Sequence, residues 1–498
     1  MPTEEFQIRA WRSDDAHAQV LVHASPAGEI RKPLTVPCDV AALRGAAAFL
    51  DESEWFLDER RQERLVALGR ALAEVLLPRP VLALLTSSLD RLASDSILRV
   101  RLCLDEELID LPWEYLYRPD VAESADAMDP RSRAASPSAL TGFLLFDHRV
   151  SLVREAPRTV QALPGVAKAQ RMLVVGALWS VGGVEEDRWL VRDEYDALVA
   201  ALGAVEDLMS LEFLPATGDI EAALAEPTAV LHYTGHAETD NGSGYLVRQV
   251  TVDAQGRTTI PSGDRLHSVE LAPMLRRART RLAVFSACNS GRWSFVEPLL
   301  RSGVPAVLGA QGVLTAHAAH VFCETLYEKL TVGLSLDEAL IGARFRMLKE
   351  GGYGGQDSVE WGQFMAYLPS TEAVLLPRRA RKAADLRTTA RESSEAAIAD
   401  VAERLGEAPA AASAVNQTTL RKAIVKAFTI AEQAVLVADV RQAIADDGVH
   451  LDLDLDTLGG PKTPEETLVL NLIQFLDRRG YLSYLVEKVR AERPGILP

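Results

Sequence analysis

The sequence is poor in cysteine. Cys38, Cys103, Cys288 and Cys323 are all that its 498 residues contain, and no two form a Cys-x-x-Cys pair. That excludes a disulfide framework and a zinc ribbon, and it suits free thiols in a reducing compartment. Positive charge is also short: 53 Lys and Arg face 70 Asp and Glu, for a net charge of −17. Such a balance argues against nucleic acid and anionic membrane surfaces as partners. No run approaches the roughly 20 apolar residues of a membrane span. The opening Met1-Pro2-Thr3-Glu4-Glu5 has neither the basic nor the apolar region of a signal peptide, so the expected location is the cytoplasm. Tandem repeats and a Gly-x-Ser-x-Gly elbow are missing. Gly460-Pro461-Lys462-Thr463 lacks the first glycine and the preceding strand of a P-loop. A calcium loop begun at Asp452 would need Gly and Glu where Thr457 and Thr463 stand. No cofactor and no metal are expected.

What is present is a large apolar fraction, 48%, in alternating patterns. Residues 1–164 mix strands and helices: an opening hairpin over 7–23, a helix over 60–76 with Leu65, Leu68, Leu72 and Val75 on one face, and a strand over 97–104. Residues 119–139, rich in Ala, Ser, Asp and Pro, read as a loop. From 165 to 376 short apolar runs alternate with helical spacing. Strands are expected at 172–176, 210–214, 229–233, 282–285, 306–310 and 364–367, with helices at 193–202, 219–225, 269–279 and 318–330. That order predicts an α/β fold, with a mostly parallel sheet and helices on both faces. Residues 377–414 read as a basic, then Ala- and Glu-rich linker. Residues 415–498 read as a small all-helical domain. There Thr463 caps a helix with Pro464 at its first position and Glu466 completing a capping box. Val469, Leu472, Ile473, Phe475 and Leu476 form its apolar stripe, and Leu482, Leu485, Val486 and Val489 form that of a second helix.

Two of the buried runs end in reactive residues. Ala229-Val230-Leu231-His232-Tyr233 leads into Thr234-Gly235-His236-Ala237, and Leu282-Ala283-Val284-Phe285 leads into Ser286-Ala287-Cys288-Asn289-Ser290-Gly291. Reactive side chains in open α/β sheets gather outside the carboxyl ends of the strands. His236 precedes Cys288 by 52 residues, close to the His–Cys spacing of caspase-type peptidases. A thiol near pKa ~8.5 is only a few per cent thiolate at neutral pH, so an adjacent imidazole is needed to activate it. The reading is a nucleophile, Cys288, with a base, His236. The backbone N–H groups of Cys288 and Ala237 are expected to form the oxyanion hole. His232 lies four residues before His236, but a His-x-x-x-His pair shares a metal on a helix, whereas this segment reads as strand, with Tyr233 where a zincin has Glu. His232 is therefore read as structural.

The two turns together resemble those of the CHAT domain, a caspase- and separase-like cysteine peptidase family. Leu111-Pro112-Trp113-Glu114 resembles an upstream element of the family, Gly303 to Gln311 its strand after the cysteine, and Gly333 to Arg344 its closing helix region. The resemblance covers roughly residues 1–375 and implies a caspase-like sheet, with 1–164 as a supporting region and 165–376 as the catalytic domain. It implies a cysteine endopeptidase with a protein substrate. Two positions depart from the family pattern. Ala237 replaces the usual glycine after the histidine, which narrows the backbone there. Ala316 stands where many relatives carry an Asp, which in separase-like enzymes helps hold a basic P1 residue. A neutral or apolar P1 residue is then expected, unless Asp240, Asp264 or Glu297 supplies the charge. Asp240, Asp264, Gln311 and Ala316 are the candidate pocket residues. Residues 415–498 resemble the death-like effector-associated domains of bacterial conflict systems. That resemblance implies docking to an adaptor or sensor protein and a role in defence or regulated death. Two other readings stay open: an inactive scaffold, and a different acyl-transfer reaction at the same dyad.

Overall fold

The computed structural model describes residues 2–51, 60–118, 142–155, 170–181, 184–185, 188–205, 208–240, 242–252, 258–260, 263–350, 359–368, 417–428, 430–446 and 482–493, together with 469, 472, 473, 476 and 496. The expected loop at 119–139, the linker at 377–414, the Thr463 capping box and the acidic run at 452–456 lie outside the described residues. Described residues up to 368 form one compact unit, and those from 417 onward form a second.

The first unit opens with β1 (Thr3–Arg12), β2 (His17–Ala24) and β3 (Ile30–Pro37), followed by α1 (Val40–Ala47), α2 (Arg61–Leu76), α3 (Arg79–Arg91), β4 (Ile97–Leu104) and β5 (Val150–Arg154). Asp39 caps α1 by accepting the Ala42 N–H at 2.9 Å. The predicted stripe of α2 is buried: Leu65, Leu68, Leu72 and Val75 are at most 3% exposed. Helix α3, strand β3 and strand β5 were not anticipated. The chain continues with β6 (Gln170–Gly176), β7 (Leu178–Val181), β8 (Val184–Glu185), α4 (Arg188–Leu202), β9 (Met209–Pro215), α5 (Ile220–Ala223) and β10 (Val230–Thr234). Next come β11 (His236–Asp240), β12 (Ser243–Val247), β13 (Gln249–Val252), β14 (Thr258–Thr259), β15 (Arg265–His267), α6 (Ser268–Arg277) and β16 (Leu282–Ser286). Then follow α7 (Trp293–Ser302), β17 (Ala306–Ala310), α8 (Ala316–Thr331), α9 (Leu336–Glu350) and β18 (Phe364–Tyr367).

Eleven strands make one sheet in the order β3-β2-β1-β4-β5-β18-β17-β16-β10-β6-β9. Its junctions are parallel except where β1, β2 and β3 meet and where β18 meets β17. This is the mostly parallel α/β sheet the alternation predicts. The regions expected at 1–164 and 165–376 thus share a single sheet, as two parallel stacks running in opposite directions and joined through the antiparallel β17–β18 pair. All five residues of β10, β16 and β17 are buried, because both faces of these strands are covered. On one face Phe285 of β16 packs against Phe295 of α7, ring centroids 4.8 Å apart. On the other His232 of β10 meets Tyr327 of α8 at 5.6 Å.

Two smaller sheets lie beside the large one, β11-β12-β15 and β14-β13-β7-β8. Apart from β7 and β8, which follow β6, their strands occupy a stretch where only a turn was read after His236. Among the described residues no single helix is long and apolar enough to cross a membrane; α2 and α3 reach the required length and composition only together, across a bend of 98°.

The second unit contains α10 (Gln417–Ala427), α11 (Ile430–Asp446) and α12 (Leu482–Glu492). Its core joins Leu420, Ile424, Leu436 and Val440 to Val469, Leu472, Ile473, Leu476, Leu485 and Val489. Most of the two expected apolar stripes is therefore in this core; Val486 is only partly buried, and the side chains of Phe475 and Leu482 lie outside the described residues.

Candidate active site

Strands β10 and β16 are parallel neighbours, and their last residues, Thr234 and Ser286, are register partners. His236 and Cys288 each follow two residues later. Adjacent strands lie about 4.8 Å apart, so the sheet delivers both residues to the same carboxyl edge at the same level.

Different devices hold each turn. Gly235, between Thr234 and His236, has φ +150°, and a Cβ there would come within 2.3 Å of the Ala177 Cβ; only glycine fits. Its N–H donates to Ser286 O at 3.1 Å, carrying the ladder one residue beyond the strand. Tyr233, on the face opposite His232, places its hydroxyl 2.9 Å from His236 O and 2.7 Å from Val247 O. That fixes the start of β11. Asp240 pairs with Ser243 and Ala237 with Leu246 in the β11–β12 ladder. A pair closing so tight a hairpin exchanges both backbone bonds, and hydrogen-bonded pairs then alternate. Asp240, Glu238 and His236 bond β12, while the Ala237 N–H turns outward on the edge strand of its small sheet.

The cysteine turn is strapped to β17. The Ser290 hydroxyl lies 2.7 Å from Ala287 O and 3.0 Å from Phe285 O, and it accepts the Ala310 N–H at 3.1 Å. Gly291 and Gly309 let the two backbones meet: a Cβ on Gly291 would be 2.7 Å from Gly309 O. Asn289 takes φ +58°, a conformation Asn tolerates better than most residues. These contacts explain the residue types in Ser286-Ala287-Cys288-Asn289-Ser290-Gly291 as the means of presenting Cys288.

The Cys288 thiol accepts the Leu314 N–H at 3.3 Å. The segment carrying Leu314 is pinned on both sides: Val313 N–H donates to Leu50 O at 3.1 Å and Thr315 N–H to the Glu360 carboxylate at 2.6 Å. Burial pushes the Cys288 thiol up, the Leu314 N–H opposes the shift, and Glu360 and Asp51 add to it. Burial pushes the His236 imidazole down, against Glu238. Both directions favour the uncharged forms, a neutral thiol and a neutral imidazole. Neither shift favours a resting thiolate–imidazolium ion pair between the two residues.

Beneath β10 and β16 lies a polar cluster of Glu194, His232 and Cys323, whose ligand-type atoms are within 4.8 Å of one another. His232 Nε2 is 2.9 Å from Glu194 Oε1, and Nδ1 is 3.1 Å from the Tyr327 hydroxyl. His232 and His236 thus serve different surroundings.

The candidate pocket residues have separate environments. Asp240 is exposed and pairs with Arg265 at 3.3 Å. Asp264 is half-buried at the start of β15, where its carbonyl accepts the Arg248 N–H at 2.7 Å. Gln311 is buried and its amide donates to Gly362 O at 2.7 Å. Ala316 begins α8 after the Thr315 cap; its side chain lies outside the described residues. Glu297 pairs with Arg301 on α7.

Leu314, Glu360 and Glu194 were missed by sequence reasoning. For Glu194 a signal existed: it lies in helical register with Leu198 and Leu202, both buried, so an acid stands on an apolar stripe. Leu314 contributes only its backbone, and Glu360 sits in a short 3₁₀ turn with no spacing to betray it.

The sequence matches the CHAT domain over residues 66–369. A comparison with curated proteins gives no match. Among solved structures, the Arg specific cysteine proteinase gingipain R is similar at 12% identity and a TM-score of 0.37, over 60% of this chain and 69% of that one. Saccharomyces cerevisiae separase, in its complex with securin, is similar at 13% identity and a TM-score of 0.32, over 65% of this chain; the chain spans about a fifth (20%) of the separase chain.

Proposed function

The chain belongs to the CHAT-domain family, and from that premise we propose that it is a cysteine endopeptidase with Cys288 as nucleophile and His236 as general base. The observation that carries this reading is the register of β10 and β16, which brings both residues to one sheet edge two positions beyond the Thr234–Ser286 pair. His236 would take the thiol proton as sulfur attacks the scissile carbonyl, then return it to the leaving amine. The outward N–H of Ala237, with the N–H of Cys288, would receive the oxyanion. The reaction needs no cofactor in this scheme. It needs free thiols, hence a reducing compartment such as the cytoplasm; all four cysteines are free. A protein substrate, recruitment of an adaptor or sensor through residues 415–498, a death-like fold for that unit and a place in bacterial defence are further parts of the same proposal. They rest on the sequence resemblance.

The test is labelling of the full-length chain with a peptidyl electrophile. Wild type should be labelled at Cys288, Cys288→Ala should lose the label, and His236→Ala should slow labelling at least 10²-fold, the lower end for a general base. Labelling that survives Cys288→Ala would overturn the assignment. An unreactive Cys288 in wild type would restore the scaffold reading.

A further inference from the structure

We propose that Glu194 is a positioning residue for the dyad: a single buried carboxylate that clasps the ends of both strands carrying His236 and Cys288. The proposal rests on the dyad reading. Thr234 and Ser286 are the last residues of β10 and β16 and partners in the ladder. Their hydroxyls both donate to the same atom, Glu194 Oε2, at 2.6 and 3.3 Å. The other oxygen, Oε1, is 2.9 Å from His232 Nε2, one turn of the pleat earlier on β10. The Cys323 thiol of α8 also hydrogen-bonds this carboxylate. Glu194 is 5% exposed and its partners no more than 6%. Burial alone would push the acid up; the bonds from His232, Thr234 and Cys323 outweigh it and hold Glu194 below its ordinary range. It therefore stays a carboxylate, an acceptor strong enough to order several donors at once.

Two elements outside the sheet thus fix the spacing between two strand ends. From Thr234 and Ser286 to the dyad is two residues on each side, so a shift of the clasp moves both reactive groups. A misplacement of about 1 Å can cost on the order of 10²-fold in rate. A resident metal is the competing use of Glu194, His232 and Cys323. The 2.9 Å separation of Glu194 Oε1 and His232 Nε2 is a hydrogen-bond length. It is shorter than the roughly 3.3 Å expected between two ligands held tetrahedrally on zinc at about 2.0–2.1 Å.

The experiment follows alkylation of Cys288 by iodoacetamide in the full-length chain from pH 5 to 9, read by mass spectrometry of the Cys288 peptide. In wild type a neutral-pH plateau should precede the alkaline rise, reflecting the minor thiolate–imidazolium form, and His236→Ala should abolish the plateau. Glu194→Ala should lower the plateau about 10- to 100-fold while leaving the slow alkaline limb of a buried thiol. Glu194→Gln, which keeps an acceptor for the hydroxyls, should restore most of it. Thr234→Val with Ser286→Ala leaves the carboxylate in place and should lower the plateau as well. That pair decides the matter if Glu194→Ala does not fold. A wild-type plateau in Glu194→Ala, or in the Thr234→Val, Ser286→Ala pair, would overturn the clasp, as would a stoichiometric metal ion in the purified protein. A plateau that survives His236→Ala would instead sink the dyad reading, and the clasp with it.

Discussion

Cys103 in the first parallel stack and Cys288 in the second are both partly exposed thiols at the carboxyl side of parallel strands. Cys103 donates to the Glu155 carboxylate at 2.7 Å, and burial together with that acid pushes it up to about 12. Cys288 instead meets backbone, accepting the Leu314 N–H at 3.3 Å with Leu314 O at 3.8 Å, and it follows the neighbour of a histidine-bearing strand. The two strand ends therefore differ in what faces the sulfur, a carboxylate at Cys103 and a backbone amide at Cys288. The stacks also differ in how they use buried charge. In the first, charge is neutralised by charge: Arg99 with Asp337, Arg101 with Glu5, and Arg154 with Glu114. In the second, the Glu194 carboxylate is met by hydroxyls, a thiol and an imidazole. Ion pairs suit a buttress, whereas hydrogen bonds to short side chains suit a junction that must set distances.

The largest effect is expected from breaking the buttress. Arg154 and Glu114 are fully buried, and Arg154 also donates to Ile109 O at 3.0 Å and Leu111 O at 2.9 Å. Glu114→Ala leaves that guanidinium without its counter-charge and should cost about 3–5 kcal/mol, measured by urea unfolding. Between Ile109 and Leu111, Asp110 accepts the Trp293 N–H at 2.6 Å, at the start of the helix after the cysteine turn. Cys288 labelling should therefore slow as well. Unchanged labelling in a folded Glu114→Ala protein would show that the two stacks are independent.

A smaller effect concerns the cysteine turn alone. Asn289→Ala should cost about 1–2 kcal/mol, the strain of a left-handed non-glycine residue. Asn289→Gly should remain within a few tenths of a kcal/mol of wild type in the same unfolding assay. Equal losses in both variants would point to a contact of the side chain rather than to the backbone.

The sheet was legible because buried parallel strands are continuous apolar runs; those at 306–310 and 364–367 coincide with β17 and β18. The turns carrying His236 and Cys288 were legible because glycine and small polar residues mark them. Strand β5 was not, since Val150-Ser151-Leu152-Val153-Arg154 buries Ser151 and Arg154, and their partners, Asp337 and Glu114, are remote in sequence. The clasp escaped for the same reason. Glu194 and Ser286 are 92 residues apart, and no local period links an acid on a helix to hydroxyls at two strand ends.

Removing the acid beside Cys103 sharpens the contrast between the thiols. Glu155→Gln deletes a like charge while burial remains, so alkylation of Cys103 at pH 8 should rise by up to about tenfold per unit of pKa recovered. Cys288 should be unaffected. A change at Cys288 would mean that Glu155 acts beyond its own strand.

The smallest expected effect is on stability against pH, and its sign separates the groups. The folded His236 value lies below the ordinary ~6.5, so the unfolded chain binds the proton first. Its contribution is full above about 6.5, is lost as pH falls through that value, and levels off below the folded pKa. Glu194, held below its ordinary range, loses its contribution only at lower pH, so the two acid limbs are distinct. Cys288 and Cys103 are raised in the fold, so the unfolded chain releases those protons first. Their contributions are lost as pH rises past about 8.5. In thermal melts from pH 4 to 10, His236→Ala should flatten the limb near 6.5 and leave the alkaline side unchanged. Cys288→Ala and Cys103→Ala should each flatten part of the alkaline side alone. An acid limb near 6.5 that persists without His236 would mean that its imidazole is not held neutral by the fold, and the base would lose its physical basis.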